Sequence, residues 1–473
     1  MMKIRIHEFG IKLAYSFPVI LFLYRLWKKL VYTFISVIPV AGAFHRKLIV
    51  GDLIRLKEIS FLLNSLFLNI EKEKEFLASL PLNILMNYGF LVRKLGELQK
   101  EKIKEALDPS RKTVAIYFPS AAYRENVGNI GDELRNKGYN VLTLIGAIAG
   151  DEHEKKNHVF YVGSGIIEDV DFVDVFICMT LSSNLPQNSK KVLFVHDIHD
   201  SPVGDIDTQL ELVFGYDYFF LPSCYVVNRV KQLVTMARDK FSGDIVTNKQ
   251  ACLIPGGYIK LDRNRQYFEK HKQETKTLIY APTVTEGQKS LEDVVSVPQY
   301  GDKIVEAILN NFTDYDLIFR PHPHTLHTLA VQNIARKYAG HPRFTFDDNG
   351  SFYMENYSKS ALMITDLSGT AYTYAFTTLR PVVFFSHVED EVKKRFDGFR
   401  YIEDRSRIGY VAQDINEMLE KIQLLLIDKD EFSARIQEYR DSLIYNIRKS
   451  EDYFVDNFEY IIEDKKHPDW VYL

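Results

Sequence analysis

ALMITDLSGTAYTYAFTTLRPVVFF (361–385) reads as strand, turn, helix and strand in quick succession. An apolar run ends at Asp366, and Ser368–Gly369–Thr370 turn the chain. Small and aromatic residues then continue as a helix to about Leu379, before PVVFF (381–385). Apolar strands without polar alternation, separated by helices, build a parallel sheet covered on both faces. Working outward, TLIYAPT (277–283), DLIFRPHP (316–323) and RFTFDD (343–348) belong to the same series. An earlier series comprises TVAIYF (113–118), VLTLIG (141–146), HVFYV (158–162), VDVFICM (173–179), KVLFVH (191–196), DYFFLP (217–222) and ACLIP (251–255). Two series predict two doubly wound α/β domains, 111–262 and 263–411. Helical pattern flanks them in 1–110, including 57–80 and 91–107, and again in 412–473, expected to pack back across both domains. There is no internal repeat and no low-complexity linker.

The chain has 473 residues, 46% hydrophobic and 26% charged, which is a globular composition with room for more than one core. Lys and Arg number 59 against 63 Asp and Glu, a net charge of −4, which argues against a nucleic-acid partner. Three cysteines, Cys178, Cys224 and Cys252, form no CxxC pair, so a reducing compartment is expected over a disulfide or Cys-rich zinc scaffold. Residues 1–50 carry eight basic side chains and one acid, a net +7, leaving −11 on the rest.

Between those charges lie apolar runs Leu13–Tyr24 and Leu30–Phe44, of 12 and 15 residues. Both are shorter than the ~18 residues of a spanning helix. Pro18 and Pro39 interrupt them, and Arg25, Trp27, Lys28 and Lys29 separate them. This pattern suits a segment lying at a membrane surface. A signal peptide, a transmembrane anchor and a helical cap packed on the protein are the alternatives.

Ligands of α/β sheets collect at the carboxyl ends of strands, where helix N-termini also point. RPHPHT (320–325) places Arg320, suited to phosphate, and His322, held between two prolines, at such an end. The turn Ser368–Gly369–Thr370 offers backbone N–H groups and hydroxyls to phosphate. Asp366 either binds a hydroxyl of the ligand or caps the turn. VHDIHD (195–200) ends a strand with His196, a candidate general base, and His199 competes with it. Asp197 or Asp200 would orient the ring. Gly257 in PGGY (255–258) and Thr283 in APT (281–283) are further candidates for ligand contact. His324 and His327 are weaker, as is a metal cluster of the three histidines. DxD strings at 169–171, 205–207, 314–316 and 428–430 are common in charged loops. The sequence holds neither a P-loop nor a GxGxxG fingerprint.

In this order, FVHDIHDSP, DYFFLPS (217–223), IPGGYIKLD (254–262), LIYAPT, IFRPHP (318–323) and 364–385 resemble the CDP-glycerol glycerophosphotransferase family over roughly 190–390. The resemblance implies a GT-B fold, with the first Rossmann-like domain taking the acceptor and the second the donor. It implies transfer of an alditol phosphate from a CDP-linked donor to a hydroxyl of a surface polymer or lipid-linked acceptor, as in teichoic acid and capsule synthesis. By position, His196 matches the family's base, His322 its second essential histidine, and Ser368–Thr370 its pyrophosphate loop. The arrangement needs no cofactor beyond the donor and no metal. It also implies a cytoplasmic protein peripheral to the membrane. Family members commonly carry His–Gly where this chain has His196–Asp197. A nucleotide-sugar glycosyltransferase of the same fold is the alternative reading.

Overall fold

The computed structural model describes residues 39–67, 70–119, 121–146, 158–163, 166–200, 206–241, 250–273, 276–284, 293–348 and 353–473. The expectation of membrane attachment rests mainly on residues 1–38, which lie outside the described residues. Among the described residues, no helix is long and apolar enough to cross a membrane.

Two sheets organise the chain. The first contains β1 (Thr113–Phe118), β2 (Asn140–Gly146), β3 (Val159–Val162), β4 (Val175–Cys178), β5 (Lys190–Phe194), β6 (Tyr218–Leu221), β7 (Cys252–Pro255) and β14 (Val471–Tyr472), in the order 14-7-6-5-4-1-2-3. The second contains β8 (Thr277–Tyr280), β9 (Asp316–Phe319), β10 (Phe344–Phe346), β11 (Ser360–Thr365), β12 (Val382–Phe385) and β13 (Gly409–Ala412), in the order 10-9-8-11-12-13. Every pairing is parallel except β14 on β7. Counted within each sheet, β14 aside, the strands run 3-2-1-4-5-6, with β7 extending the first. This is the doubly wound Rossmann order. Strands such as β4, β6, β8 and β12 are buried at every position, which is why they read as unbroken apolar runs.

Each sheet reverses direction once, between β1 and β4 and between β8 and β11. At such a switch point the loops diverge and leave a crevice at the carboxyl ends. The loops after β1, β4 and β5 and those after β8, β9 and β11 line one shared cavity.

The helical stretch before β1 is not a separate layer. Leu62, Leu63, Leu91 and Leu95 are fully buried in one cluster with Val114, Ile116 and Tyr161 of the first sheet. That portion of the region expected to associate with a membrane is thus part of the first lobe's core. Segment 57–80 forms two helices, Lys57–Leu66 and Ile70–Ser79, rather than one. Pro39 is the first described residue of helix Pro39–Ile54.

After β13, helices Ile415–Ile427 and Lys429–Leu443 bury Met418, Ile422, Phe432 and Ile436 in the second lobe's core. The chain then returns to the first lobe. Helix Ser450–Asp456 sets Phe454 edge-on against Phe194 and Phe220, with centroids 4.8 and 5.3 Å away, and β14 closes the edge at β7.

Candidate active site

The cavity between the lobes holds about 880 Å³. His196, Asp197, His199, Thr283, Arg320, His322, Ser368, Gly369 and Thr370 all line it. Asp366 and Gly257 do not.

His196 lies two residues past the end of β5. Its Nδ1 lies 2.8 Å from the carbonyl oxygen of Met179, the residue after β4. A carbonyl only accepts, so Nδ1 carries the proton and Nε2 keeps its lone pair. Tyr123 packs edge-on to the ring at 5.3 Å, and the Tyr258 hydroxyl donates to the His196 carbonyl. The ring is therefore oriented by backbone and tyrosines, not by Asp197 or Asp200 as expected.

His199, the competing base, is 3% exposed. Its Nδ1 is 2.6 Å from Asp200 Oδ1, and its Nε2 is 2.9 Å from the Tyr439 hydroxyl, which donates to Asp404 Oδ2. Asp200 also accepts the backbone N–H groups of Arg400 and Tyr401 at 2.9 and 2.7 Å. With both ring nitrogens engaged, His199 belongs to a tie between the lobes rather than to proton transfer. Two histidines three residues apart thus have different environments, which the sequence does not separate.

On the second lobe, Arg320 donates from Nη1 to Asp347, which also accepts from Asn356 Nδ2. The His322 Nδ1 accepts the His324 N–H at 3.2 Å, which leaves the proton on Nε2. Burial pushes the His322 pKa down to about 4, and the neighbouring His324 and Arg320 act in the same direction. The ring is therefore neutral at pH 7 and offers an N–H donor to an anion.

The helix Thr370–Thr378 begins at Gly369 with no side-chain cap. The Ala371 N–H donates to the Ser368 carbonyl at 3.0 Å, while the N–H groups at the helix start lack an i−4 carbonyl and the dipole adds partial positive charge. Its approach is fixed by the Ser368 carbonyl, which accepts the buried Tyr401 hydroxyl at 2.7 Å. A Cβ built on Gly369 would meet nothing nearer than Asp197 Oδ1, at 3.8 Å. The glycine thus leaves open space for a ligand, with a first-lobe carboxylate across it. Replacing Asp197 by Asn removes a like charge beside this turn. CDP is then expected to bind about three- to tenfold more tightly in a calorimeter. Unchanged affinity would show that the carboxylate does not face the phosphates.

Asp366 corrects the expectation of donor contact. Its Oδ1 accepts the N–H of Thr283 and of Leu367, both at 2.8 Å, and its Oδ2 accepts the N–H and Oγ of Ser296 at 2.9 and 2.8 Å. These four bonds occupy the carboxylate in fastening the ends of β8 and β11 together, which holds Thr283 at the cavity wall. Gly257 is also structural. It has φ +98, and a Cβ there would come within 2.3 Å of Ser450 Oγ and 2.5 Å of the Tyr445 carbonyl. Gly257→Ala is expected to lower the thermal midpoint by several degrees, through backbone strain and the displaced C-terminal segment. A normal midpoint with weakened CDP binding would restore it to the ligand site.

Several lining residues escape the sequence reading. Lys260, Tyr353 and Glu125 meet at the lobe junction: the Tyr353 hydroxyl lies 2.8 Å from Glu125 Oε2 and 2.9 Å from Asn264 Oδ1, its one proton shared between these acceptors. The Lys260 Nζ and the Arg320 guanidinium lie 4.9 and 5.6 Å from the Tyr353 ring centroid. Glu125 lies in the short helix Ala121–Asn126 beyond β1, outside the strand-end positions that mark His196. Lys260 lies two residues past the PGGY turn (255–258), in the first turn of helix Ile259–His271, where no motif marks it.

Two Rossmann-type lobes with their strand carboxyl ends facing one cleft define a GT-B-like fold. In particular, it is similar to the wall teichoic acid polymerase TagF, with a TM-score of 0.55 and 17% identity over 81% of this chain and 96% of that one. A protein described as a UDP-N-acetylglucosamine 2-epimerase from Listeria monocytogenes shares the fold at a TM-score of 0.50 and 12% identity, covering 76% of this chain and 98% of that one. In sequence, the chain is 23% identical over 271 residues to the minor teichoic acid biosynthesis protein GgaB of Bacillus subtilis (strain 168). That stretch is 50% of this chain and 28% of GgaB. No family model matches the chain.

Proposed function

We propose that the protein is a transferase of surface-polymer synthesis. It moves an alditol phosphate, glycerol phosphate or similar, from a CDP-linked donor to a hydroxyl of a polymer or lipid-linked acceptor. One observation carries the reading: an imidazole with a free Nε2 lone pair on one lobe faces an uncapped helix N-terminus, Arg320 and a neutral His322 on the other. His196 Nε2 takes the proton of the acceptor hydroxyl as its oxygen attacks the phosphorus farther from cytidine. The new P–O bond forms as the bond to CMP breaks, and CMP leaves with the electron pair. Arg320, the His322 Nε2–H and the amides of 368–370 offset the charge that develops on the phosphates. The likeness to TagF and GgaB supports this reading over the sugar-transfer alternative.

Labelled donors test it. Incubation with CDP-glycerol and membrane extract is expected to release CMP in step with labelled polymer or lipid. Release of a nucleoside diphosphate from a nucleotide sugar would assign sugar transfer instead. The basic apolar residues 1–38 are proposed to hold the enzyme at the cytoplasmic membrane face, where a lipid-linked acceptor resides.

A further inference from the structure

Lys260 lies in the first turn of helix Ile259–His271, two residues after Tyr258, whose hydroxyl bonds the His196 carbonyl. It therefore stands in the same wall as the imidazole. Its ammonium sits over the Tyr353 ring at 4.9 Å, and that ring is pinned by Glu125 and Asn264. An aromatic face holds an ammonium in place without cancelling its charge or using its N–H donors. The Arg320 guanidinium, beside the same ring, already has a carboxylate partner in Asp347. Among the described residues, Lys260 has no ion pair and no hydrogen bond from Nζ. Glu125 and Asp197 act on it only through space, while burial lowers its pKa. A half-buried cation without a counter-ion is costly, and an entering anion relieves that cost.

We propose that Lys260 binds the donor phosphate farther from the nucleoside, the one that is transferred. The placement follows from the two lobes. The turn at 368–370 lies on the second lobe, where the nucleoside-side phosphate is expected. Lys260 shares the first-lobe wall with His196 and acts through space on Asp197, the next residue, whose Oδ1 faces Gly369 of that turn, so it adjoins the place where the phosphorus under attack would stand. This assignment rests on the donor reading given above. The ammonium neutralises the oxygens whose charge grows as the acceptor oxygen attacks, so it acts on turnover as well as on binding.

The test compares CDP with CMP, which lacks the farther phosphate, on the full-length protein by calorimetry. In Lys260→Met, CDP affinity is expected to fall about 10- to 100-fold, with CMP affinity unchanged. Lys260→Arg is expected to recover part of the loss. A Lys260→Met protein with the wild-type ratio of CDP to CMP affinity overturns the proposal. If wild type binds neither nucleotide, the donor reading fails and inorganic pyrophosphate serves as the probe. Weaker pyrophosphate binding in Lys260→Met then upholds the anion contact, while equal or absent binding overturns it. Thermal melting of Lys260→Met checks the fold. Its midpoint is expected to stay level or rise, since an uncompensated cation has been removed.

Discussion

Replacing His196 by alanine is expected to lower kcat about 10²- to 10⁴-fold while leaving CDP affinity within about threefold of wild type. The split follows from the position of the ring. Its Nδ1 is held by the Met179 carbonyl and its carbonyl by Tyr258, so it belongs to the first lobe. The groups proposed to hold phosphate belong mostly to the second. Deleting the imidazole removes the proton acceptor without disturbing the anion cradle. Steady-state turnover with CDP-glycerol and calorimetry with CDP measure the two halves separately. Near-normal turnover would remove His196 from the chemistry, and lost CDP affinity would place it with the donor instead. His199→Ala is the control. It breaks the tie through Asp200 and Tyr439, and is expected to lower stability more than its remaining kcat per folded molecule.

The largest stability effect is expected at Arg405. Its Nη2 lies 2.7 and 2.9 Å from the two carboxylate oxygens of Glu389, and both side chains are buried, at 2% and 3% exposure. Removing one partner strands the other's charge, with only the exposed Lys393 at 3.4 Å left to help. Arg405→Met is expected to cost about 3–5 kcal/mol, read as a lower urea midpoint by circular dichroism. Removing both charges, Arg405→Met with Glu389→Leu, is expected to recover most of the loss. The pair also supports the site. Arg405 anchors the segment that carries Tyr401, whose hydroxyl holds the Ser368 carbonyl at the anion turn. A folded Arg405→Met protein is therefore expected to bind CDP more weakly. An unchanged midpoint would show that the segment is held by its apolar contacts alone.

Strands β1 to β12 were legible because most are buried on both faces, and such a strand must be apolar, which needs no knowledge of its neighbours. β13 and β14 were not. GYVA (409–412) opens with glycine and is only half-buried at two positions, and β14 has two residues whose partner, β7, lies more than 200 residues earlier. The two sheets share one strand order without any repeat in sequence, since the order constrains hydrophobicity and connection length but not residue identity.

The site follows the same division. Positions at strand ends marked His196, Arg320, His322 and the turn at 368–370, and all of them reach one cavity. What each side chain bonds to was not legible. Asp366 looks like a ligand residue until Ser296, 70 residues earlier, is found on its Oδ2. Gly257 looks like a ligand-contacting turn until Tyr445 and Ser450 are found packed on it.

The chain passes between the lobes twice, once through helix Ile259–His271 and once through residues 444–450. The second passage is fastened by the Tyr445 N–H on the Pro222 carbonyl and by Asn446 on the Pro255 carbonyl. Bodies joined by a single tether can swivel about any direction, whereas a pair of tethers leaves them one axis, like the covers of a book. In the proposed reaction, an opening of the cleft about that one axis would change the gap between His196 and Gly369 while keeping the two pages face to face.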